Sequence, residues 1–259
     1  MASNDSFKRT IGVAVTLCVV CSIIVSTAAV QLRPAQVANK AKDFRKNILM
    51  AAGMYDPSKT IKDQFAAVET KIVDLNTGKF APDAIENVTA YDQVKAAKDP
   101  KMSEPVPAEQ DIASLSRQEK YSKVFLVKNG NNIEKVILPI RGYGLWSTLK
   151  GFIALESDFN TVIGLGYYEH GETPGLGGEV DNPKWKALWN GKEVYSAEGD
   201  VELSVVKGTV DASTPNAEYK VDGLSGATLT SNGVDYMIKF WLGENGFAPF
   251  LTNLKNGEA

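Results

Sequence analysis

The chain has three zones of contrasting hydrophobic pattern: a long apolar run near its start, a polar middle and a series of short apolar runs. Residues 11–30 contain no charge and are long enough to cross a bilayer as one helix. A cleaved signal peptide with a cut site near Ser26–Ala28 is the alternative, but the apolar run exceeds the usual signal-peptide core. We therefore predict a retained transmembrane helix over residues 11–31.

Residues 32–120 predict an amphipathic helix followed by a polar connecting region. After Arg33-Pro34, apolar residues recur at spacings of three or four between charges, which predicts a helix ending at Gly53. Residues 54–120 are polar, contain five of the chain's prolines and carry no recognisable chemistry. They predict short helices near 61–68 and 108–119 and a strand near 71–75.

From residue 121 the pattern changes to short runs rich in β-branched and aromatic residues, which predict strands. These runs are 121–128, 133–140, 149–156, 161–169 and 201–207. Asn129–Asn132 contains an Asn-Gly dipeptide, a hairpin signal between the first two runs. Asn182-Pro183 predicts the start of a short helix, and apolar periodicity predicts another helix over 229–243. Residues 121–259 are therefore predicted to form an α+β domain, with a twisted, mainly antiparallel sheet flanked by helices.

Composition excludes several classes of function. With 28 basic and 31 acidic residues and no basic block in the body of the chain, we expect no nucleic-acid partner. Cys18 and Cys21 lie in the apolar run, where small hydrophobes are favoured over a redox pair, so the rest of the chain has no thiolate site. The chain has a single histidine, His170, so it lacks the ligands of a His-rich zinc site, and no motif supplies the acid and the nucleophile of a catalytic triad. We predict no metal, no catalytic residue, and a site-lining or surface position for His170.

The segment 222–231 is typical of a helix start that binds an anion. The capping residue types here are Ser225, Thr228, Thr230 and Ser231, and a helix beginning among them directs free backbone N–H groups and its positive dipole end outward. Gly223 and Gly226 allow a tight turn and the close approach of a bulky group. The pattern suits a phosphate held by amides or esterified to the Thr228 hydroxyl, with an ordinary capping loop as the alternative.

The run from Asp222 to Thr228, Asp-Gly-Leu-Ser-Gly-Ala-Thr, resembles the flavinylation motif of the FMN-binding domain family. In that family the last threonine carries FMN through a phosphoester that a dedicated flavin transferase forms. The resemblance implies covalent FMN on Thr228, with Ser225, Gly226 and Ala227 surrounding the phosphate. It also implies that Asp222 serves the transferase more than the flavin.

Two further segments could contact the flavin ring. The run Glu-Thr-Pro-Gly-Leu-Gly-Gly-Glu over 172–179 is similar to a second signature of the same family, and its glycines leave open backbone for a planar ring. We expect Glu172 and Thr173 to hydrogen-bond the flavin, and Leu176 and Gly177 to lie against it. A Gly-rich connecting loop is the alternative.

The segment 142–147 carries Trp146 after a strand, and its Gly-Leu-Trp-Ser run also resembles the family. We predict that Trp146 stacks on the ring, with burial in the core as the alternative. Lys207 could neutralise the phosphate or the N1 region of the reduced flavin, or could simply be solvated. No dinucleotide-binding fingerprint is completed anywhere in the chain, so NADH binding by this chain is not expected.

The order of these segments behind one membrane helix resembles the flavoprotein subunits of sodium-pumping NADH:quinone oxidoreductases. The related G subunit of Rnf complexes is shorter between helix and domain, so residues 54–120 favour the former. The resemblance implies that FMN relays electrons between centres of a membrane complex, coupled to sodium export, without turnover by the chain alone. The implied partners are the other subunits of the pump and the flavin transferase.

Charge counts do not orient the membrane helix. Lys8 and Arg9 favour a cytoplasmic segment 1–10, whereas a group of basic residues after position 31 argues the reverse. The resemblance implies a bacterial inner-membrane protein with its flavin domain on the periplasmic side. Two other hypotheses are a tethered periplasmic scaffold without covalent flavin, and a flavin domain that donates electrons to a periplasmic reductase.

Overall fold

The structure is a computed structural model that describes residues 6–259, so part of the predicted segment 1–10 lies outside the described residues. Its first element is one continuous helix, α1 (Phe7–Ala51), with Pro34 inside it. The transmembrane and amphipathic helices that the sequence predicted separately are therefore two parts of one helix. By length and composition, this is the helix among the described residues that could cross a membrane. The chain divides into two compact units, Met1–Phe44 and Arg45–Ala259.

The second unit is built on a six-stranded antiparallel sheet with the strand order β2-β1-β5-β6-β7-β8. Its strands are β1 (Val68–Asp74), β2 (Lys79–Phe80), β5 (Tyr121–Asn129), β6 (Asn132–Tyr143), β7 (Thr148–Glu156) and β8 (Val162–Glu169). The four strands from β5 to β8 agree closely with the sequence prediction, because short runs of β-branched and aromatic residues separated by turn signals specify local hairpins. The predicted α+β fold is confirmed.

Each face of the sheet is covered. On one face Val136, Leu138 and Ile140 of β6 join the main core, which α5 (Thr228–Leu242) also lines. On the other face Phe125 and Phe152 pack edge to face with ring centroids 5.8 Å apart. The end of α1 from residue 45 onward also packs there, and the carbonyl of Ala52 accepts a hydrogen bond from Lys135 Nζ. A strand buried on both faces accounts for the long apolar run in β6.

Residues before 121 contribute directly to this sheet. Strand β1 pairs with β5 along its whole length, from Val68 opposite Val127 to Asp74 opposite Tyr121. Strands β3 (Ser103–Pro105) and β4 (Arg117–Glu119) form a separate antiparallel pair, and two short helices are α2 (Ile61–Phe65) and α3 (Gln93–Ala96). The segment that the sequence suggested as a polar connection thus supplies an edge of the sheet.

The helix predicted over 108–119 is wrong. Turns and β4 occupy this region, and Ser114 and Ser116 have positive φ angles. The carboxylate of Asp111 accepts hydrogen bonds from the backbone N–H groups of Leu115 and Ser116, both over 2.7 Å. Such bonds from a side chain to nearby backbone compete with helical hydrogen bonds, which explains the failure of the prediction.

The last third of the chain forms a small parallel pair, three α-helices and two short 3-10 helices, Gly177–Asp181 and Ala217–Tyr219. The strands and α-helices are α4 (Pro183–Ala187), β9 (Ser204–Val206), β10 (Lys220–Asp222), α5 and α6 (Ala248–Asn256). The strand predicted over 201–207 is present as β9, but it pairs with β10 rather than with the main sheet. Helix α5 starts six residues after β10, so the small pair leads into the predicted anion site.

Candidate functional site

Thr228 is the first residue of α5 and its side chain is exposed. Ala227, which precedes it, provides no side-chain cap, so the first-turn N–H groups lack that common partner. Gly226 has φ +71°, in the left-handed region that favours glycine, and Ser225 is exposed beside it. The result is an accessible hydroxyl at the positive end of a 15-residue helix.

The loop before α5 is held by Ser231. Its Oγ accepts a hydrogen bond from the Leu224 N–H over 2.9 Å and donates one to the Ala227 carbonyl over 3.1 Å. Both the hydroxyl and the Leu224 N–H are buried, so these bonds form away from competing water. The conformation of the Ser225–Thr228 segment is therefore fixed by hydrogen bonds within the protein.

Glu172 joins the three segments that the sequence singled out. It follows β8, and its carboxylate accepts hydrogen bonds from the backbone N–H groups of Leu145, Trp146 and Ser147 at 3.1–3.2 Å. These residues form the connection between β6 and β7. The hydroxyl of Thr230 in α5 donates to Glu172 Oε2 over 2.7 Å. The buried side chain of Glu172 therefore connects the turn that carries Trp146, the Gly-rich loop 172–179 and the start of α5.

Burial of the Glu172 carboxyl raises its pKa, but hydrogen bonds from Thr230 and from the backbone of Trp146, Leu145 and Ser147 together outweigh burial. The net effect is a pKa below the ordinary glutamate value, because these donors stabilise the charged form. Glu172 is thus ionised at neutral pH. The site contains a fixed negative charge bound to Thr230, which lies two residues after Thr228 in α5.

The Gly-rich loop passes very close to this carboxylate. A Cβ atom on Gly177 would lie 2.5 Å from Thr230 Oγ1 and 2.8 Å from Glu172 Oε2, which no larger residue tolerates without a shift. Leu176, next to it, reaches the turn before α5: a Cβ on Gly226 would lie 3.1 Å from Leu176 Cδ2. The loop and the helix start therefore form one continuous surface.

Several large apolar side chains of the site are left exposed, among them Leu176 and Trp146. Leu176 is 45% exposed, and Trp146, on the β6–β7 turn, is 66% exposed. Burial in the core, the alternative for Trp146, is therefore wrong. An exposed indole and an exposed leucine on segments joined through Glu172 are suited to cover a planar apolar ligand.

His170 and Thr173 shape the start of the Gly-rich loop. Nδ1 of His170 accepts a hydrogen bond from the Glu172 N–H over 3.3 Å, and Nε2 lies 2.8 Å from Asp181 Oδ2. The carbonyl of Thr173 accepts hydrogen bonds from the N–H groups of Leu176 and Gly178, while residue 173 itself is exposed. His170 thus lies beside the site, as the sequence suggested, and orients the backbone of Glu172.

Asp222 has partners within the fold. Its carboxylate accepts a hydrogen bond from the Val210 N–H over 2.8 Å, and its carbonyl accepts one from Trp185 Nε1 over 2.8 Å. Asp222 also pairs with Val206, so the exposed Lys207 lies beside the beginning of the motif. Within residues 6–259 no salt bridge of Lys207 is present. Its ammonium group is available to an anion.

The sequence singled out Thr230 and Ser231 only as capping residue types and Ser147 only as part of the tryptophan segment, and it assigned none of the three to the site, although their hydroxyls complete it. Thr230 and Ser231 are buried at the start of α5, where an amphipathic helix would otherwise place apolar residues. That departure from the apolar pattern was the available signal. Ser231 bonds within its own loop, whereas the Glu172 partner of Thr230 and Ser147 depends on tertiary contacts and left no pattern in the sequence.

The residues present fit FMN. A helix start without a side-chain cap, next to an exposed hydroxyl, suits a phosphate, and the exposed Lys207 lies beside Asp222 at the beginning of the motif. The exposed Trp146 and Leu176 suit an isoalloxazine ring. Gly226 is exposed and its lack of a side chain leaves the turn before α5 open beside Leu176, whereas Gly177 is buried against Thr230 and Glu172.

Residues 144–243 match the FMN-binding domain family, a range that contains the three segments joined by Glu172. The chain is 52% identical to the C subunit of the Na(+)-translocating NADH-quinone reductase of Pseudomonas aeruginosa, with 100% of each chain covered. It is 50% identical to the corresponding protein of Vibrio vulnificus, which has the same name, with 99% of each covered. The chain belongs to this family, called NqrC below.

Solved structures of NqrC proteins have the same fold. The crystal structure of Shewanella oneidensis NqrC has a TM-score of 0.77 and 37% sequence identity, and the match covers 85% of this chain and 99% of that one. The protein from Parabacteroides distasonis has a TM-score of 0.64 and 30% identity, with 85% of this chain and 97% of that one covered. Similarity over 98–100% of the chain confirms the assignment to NqrC, while the role of residues 54–120 in separating it from the Rnf protein stays a prediction.

Proposed function

We propose that this NqrC family member is the covalently flavinylated electron-transfer subunit of a sodium-translocating NADH:quinone reductase, with FMN esterified to Thr228. The observation that carries the proposal is the exposed Thr228 hydroxyl at the start of α5, inside an FMN-binding domain. The flavin transferase forms the ester bond between the threonine oxygen and the FMN phosphorus; the threonine O–H bond and the bond from phosphorus to its leaving group break, and the proton and the leaving group depart. The mass of the chain consequently rises by that of FMN less one water.

The chain's own residues bind and orient the flavin in this proposal. First-turn N–H groups of α5 and the Lys207 ammonium neutralise the phosphate, with Ser225, Gly226 and Ala227 around it. Trp146 and Leu176 cover the ring, and Thr173 and Gly177 lie along it. Bound FMN supplies the redox chemistry, and the protein supplies attachment, orientation and electrostatics.

We further propose that α1 anchors the chain in the bacterial inner membrane, with the flavin domain in the periplasm and the other subunits of the complex as partners. A covalent link is advantageous there, because a dissociated flavin could not be replaced from the cytosol. Protease added to intact spheroplasts should remove the domain. If the domain is cleaved only after lysis, it is cytoplasmic and this orientation is wrong.

The attachment is tested by intact-protein mass spectrometry and by flavin fluorescence in a denaturing gel, on protein from its own host. Wild type and a Thr252→Val control, changed at an exposed threonine of α6, should carry the FMN increment. Thr228→Val should have the mass of the bare chain and no fluorescence. A bare wild-type chain from native membranes would favour the scaffold hypothesis, and a labelled Thr228→Val would exclude this threonine.

A further inference from the structure

The Glu172 carboxylate is the meeting point of the site, and its capacity as an acceptor is already used. Oε1 accepts from the N–H groups of Leu145, Trp146 and Ser147 and from Ser147 Oγ. Oε2 accepts from Thr230 Oγ1 and shares the Leu145 N–H. An ionised carboxylate offers about four lone-pair positions, so these donors occupy them. A hydrogen bond from a ligand would have to displace one of them.

Because the acceptor positions of the Glu172 carboxylate are occupied, the role expected of this residue changes. A direct hydrogen bond from Glu172 to a flavin was the sequence prediction, yet the carboxylate points into the protein and is 5% exposed as a residue. Its contacts run instead to the backbone that carries Trp146 and to the helix that begins with Thr228. Each of these segments holds one end of the ligand in the proposed function.

We propose that Glu172 is a positioning residue, whose carboxylate sets the separation between the Trp146 turn and the first turn of α5. This inference rests on the proposed function, because Trp146 and Thr228 matter together only when one flavin spans both. Three consecutive N–H groups of the turn converge on this carboxylate, and successive N–H groups of this kind form a concave anion-binding nest. The Glu172 carboxylate thus occupies this nest as an anion of the protein itself and fixes the conformation of the turn before a ligand binds.

Thr230 provides the sharper test, because it is the link from Glu172 to α5. Thr230→Val is nearly isosteric, keeps every bond between Glu172 and the turn, and removes the single 2.7 Å bond to the helix. Thr230→Ser keeps the hydroxyl and is the matched control. Glu172→Gln is the second variant: it removes the charge, and its amide NH2 group is a donor that meets the Leu145 N–H and can bond Thr230 only if that hydroxyl turns to accept.

The first measurement is hydrogen exchange of the Leu145, Trp146 and Ser147 amides in the full chain in detergent micelles. In Glu172→Gln these amides should exchange about tenfold faster or more, the effect of losing one hydrogen bond to a charged group. Thr230→Ser should match wild type. Unchanged exchange in Glu172→Gln would overturn the proposal, and the measurement does not require bound flavin.

The second measurement reports on the distance between the Trp146 indole and the flavin, and not on whether the variant folds. An indole next to a flavin quenches flavin emission by electron transfer, so emission per covalently bound FMN depends on where Trp146 lies. Thr230→Val should raise this emission and shift the flavin midpoint potential, whereas Thr230→Ser should restore both. Trp146→Phe sets the emission expected when quenching is absent.

Each outcome separates this inference from the proposed function. Flavinylated Thr230→Val with wild-type emission and potential would overturn the positioning role, while covalent attachment stands. Wild-type protein without the FMN mass increment would overturn the proposed function, and the amide exchange result would still decide whether Glu172 organises the turn. If Glu172→Gln takes up no flavin, the emission and midpoint potential of flavinylated Thr230→Val and Thr230→Ser decide whether the positioning role is correct.

Discussion

The carboxylate of Asp222 accepts a hydrogen bond from the backbone N–H of Val210 over 2.8 Å, between the small parallel strand pair and the turn after β9. A second bond, from the Gly223 N–H to the Gly208 carbonyl over 3.0 Å, runs alongside it. Together they hold Lys207 next to the start of the Asp-Gly-Leu-Ser-Gly-Ala-Thr motif. The first residue of that motif therefore has a structural role in the folded chain, besides the transferase role that the resemblance implies.

This relationship predicts different results for two substitutions at Asp222. Asp222→Asn keeps an acceptor oxygen for the Val210 N–H and should retain the free energy of unfolding, whereas Asp222→Ala should lower both the free energy of unfolding, by about 1–3 kcal/mol, and the flavin content. Urea unfolding and intact mass measure the two effects. A stable Asp222→Asn protein that remains unflavinylated would show instead that the transferase requires the carboxylate.

The close approach at Gly177 predicts a cost for adding a single methyl group. In Gly177→Ala the new Cβ would lie 2.5 Å from Thr230 Oγ1, so the loop or the helix must move. We expect a loss of about 1–3 kcal/mol in the free energy of unfolding. Gly166→Ala is the matched control, because a Cβ there meets no atom within 4 Å. Equal stability of the two variants would contradict this packing.

Ionisation of Glu172 predicts a pH dependence of stability. Its pKa is lowered in the folded protein from an ordinary value of 4.5, so the unfolded chain binds the proton more readily. The contribution of Glu172 is fully present above the unfolded pKa and is lost as pH falls through the folded pKa. The difference in free energy of unfolding between wild type and Glu172→Gln should therefore shrink in acid. A difference that is constant with pH would show that the charge contributes nothing.

A buried ion pair between β4 and β6 predicts a large effect on stability. Arg141 donates from Nη1 to Glu119 Oε1 over 2.8 Å, and its guanidinium lies 5.0 Å from the ring centroid of Trp241. Arg141→Met should cost about 3–5 kcal/mol, because Glu119 would be left buried without its partner. Thermal unfolding of the single variants and of an Arg141→Met, Glu119→Gln double variant measures this coupling. Additive losses in the double variant would contradict it.

Sequence reasoning succeeded where the signal was local. Strands β5 to β8 and helix α5 were predicted to within a few residues, since hairpin turns and apolar periodicity act between neighbours. It failed over 108–119, where the Asp111 carboxylate binds backbone N–H groups in place of a helix. It also missed that β1 joins the sheet, because pairing with β5 brings together residues about fifty positions apart in the chain.

The sequence by itself determined the membrane-spanning length of α1, the hairpins of the sheet, and the three motifs that placed the chain in a flavin family. Each depends on residues close together in the chain, so short-range patterns were sufficient. Only the tertiary structure decided that the Glu172 carboxylate accepts hydrogen bonds from the Trp146 N–H and from the hydroxyl of Thr230, which follows Glu172 by 58 residues. Which donors surround a buried carboxylate depends on how strands and helix pack, and packing brings together side chains that no local pattern relates.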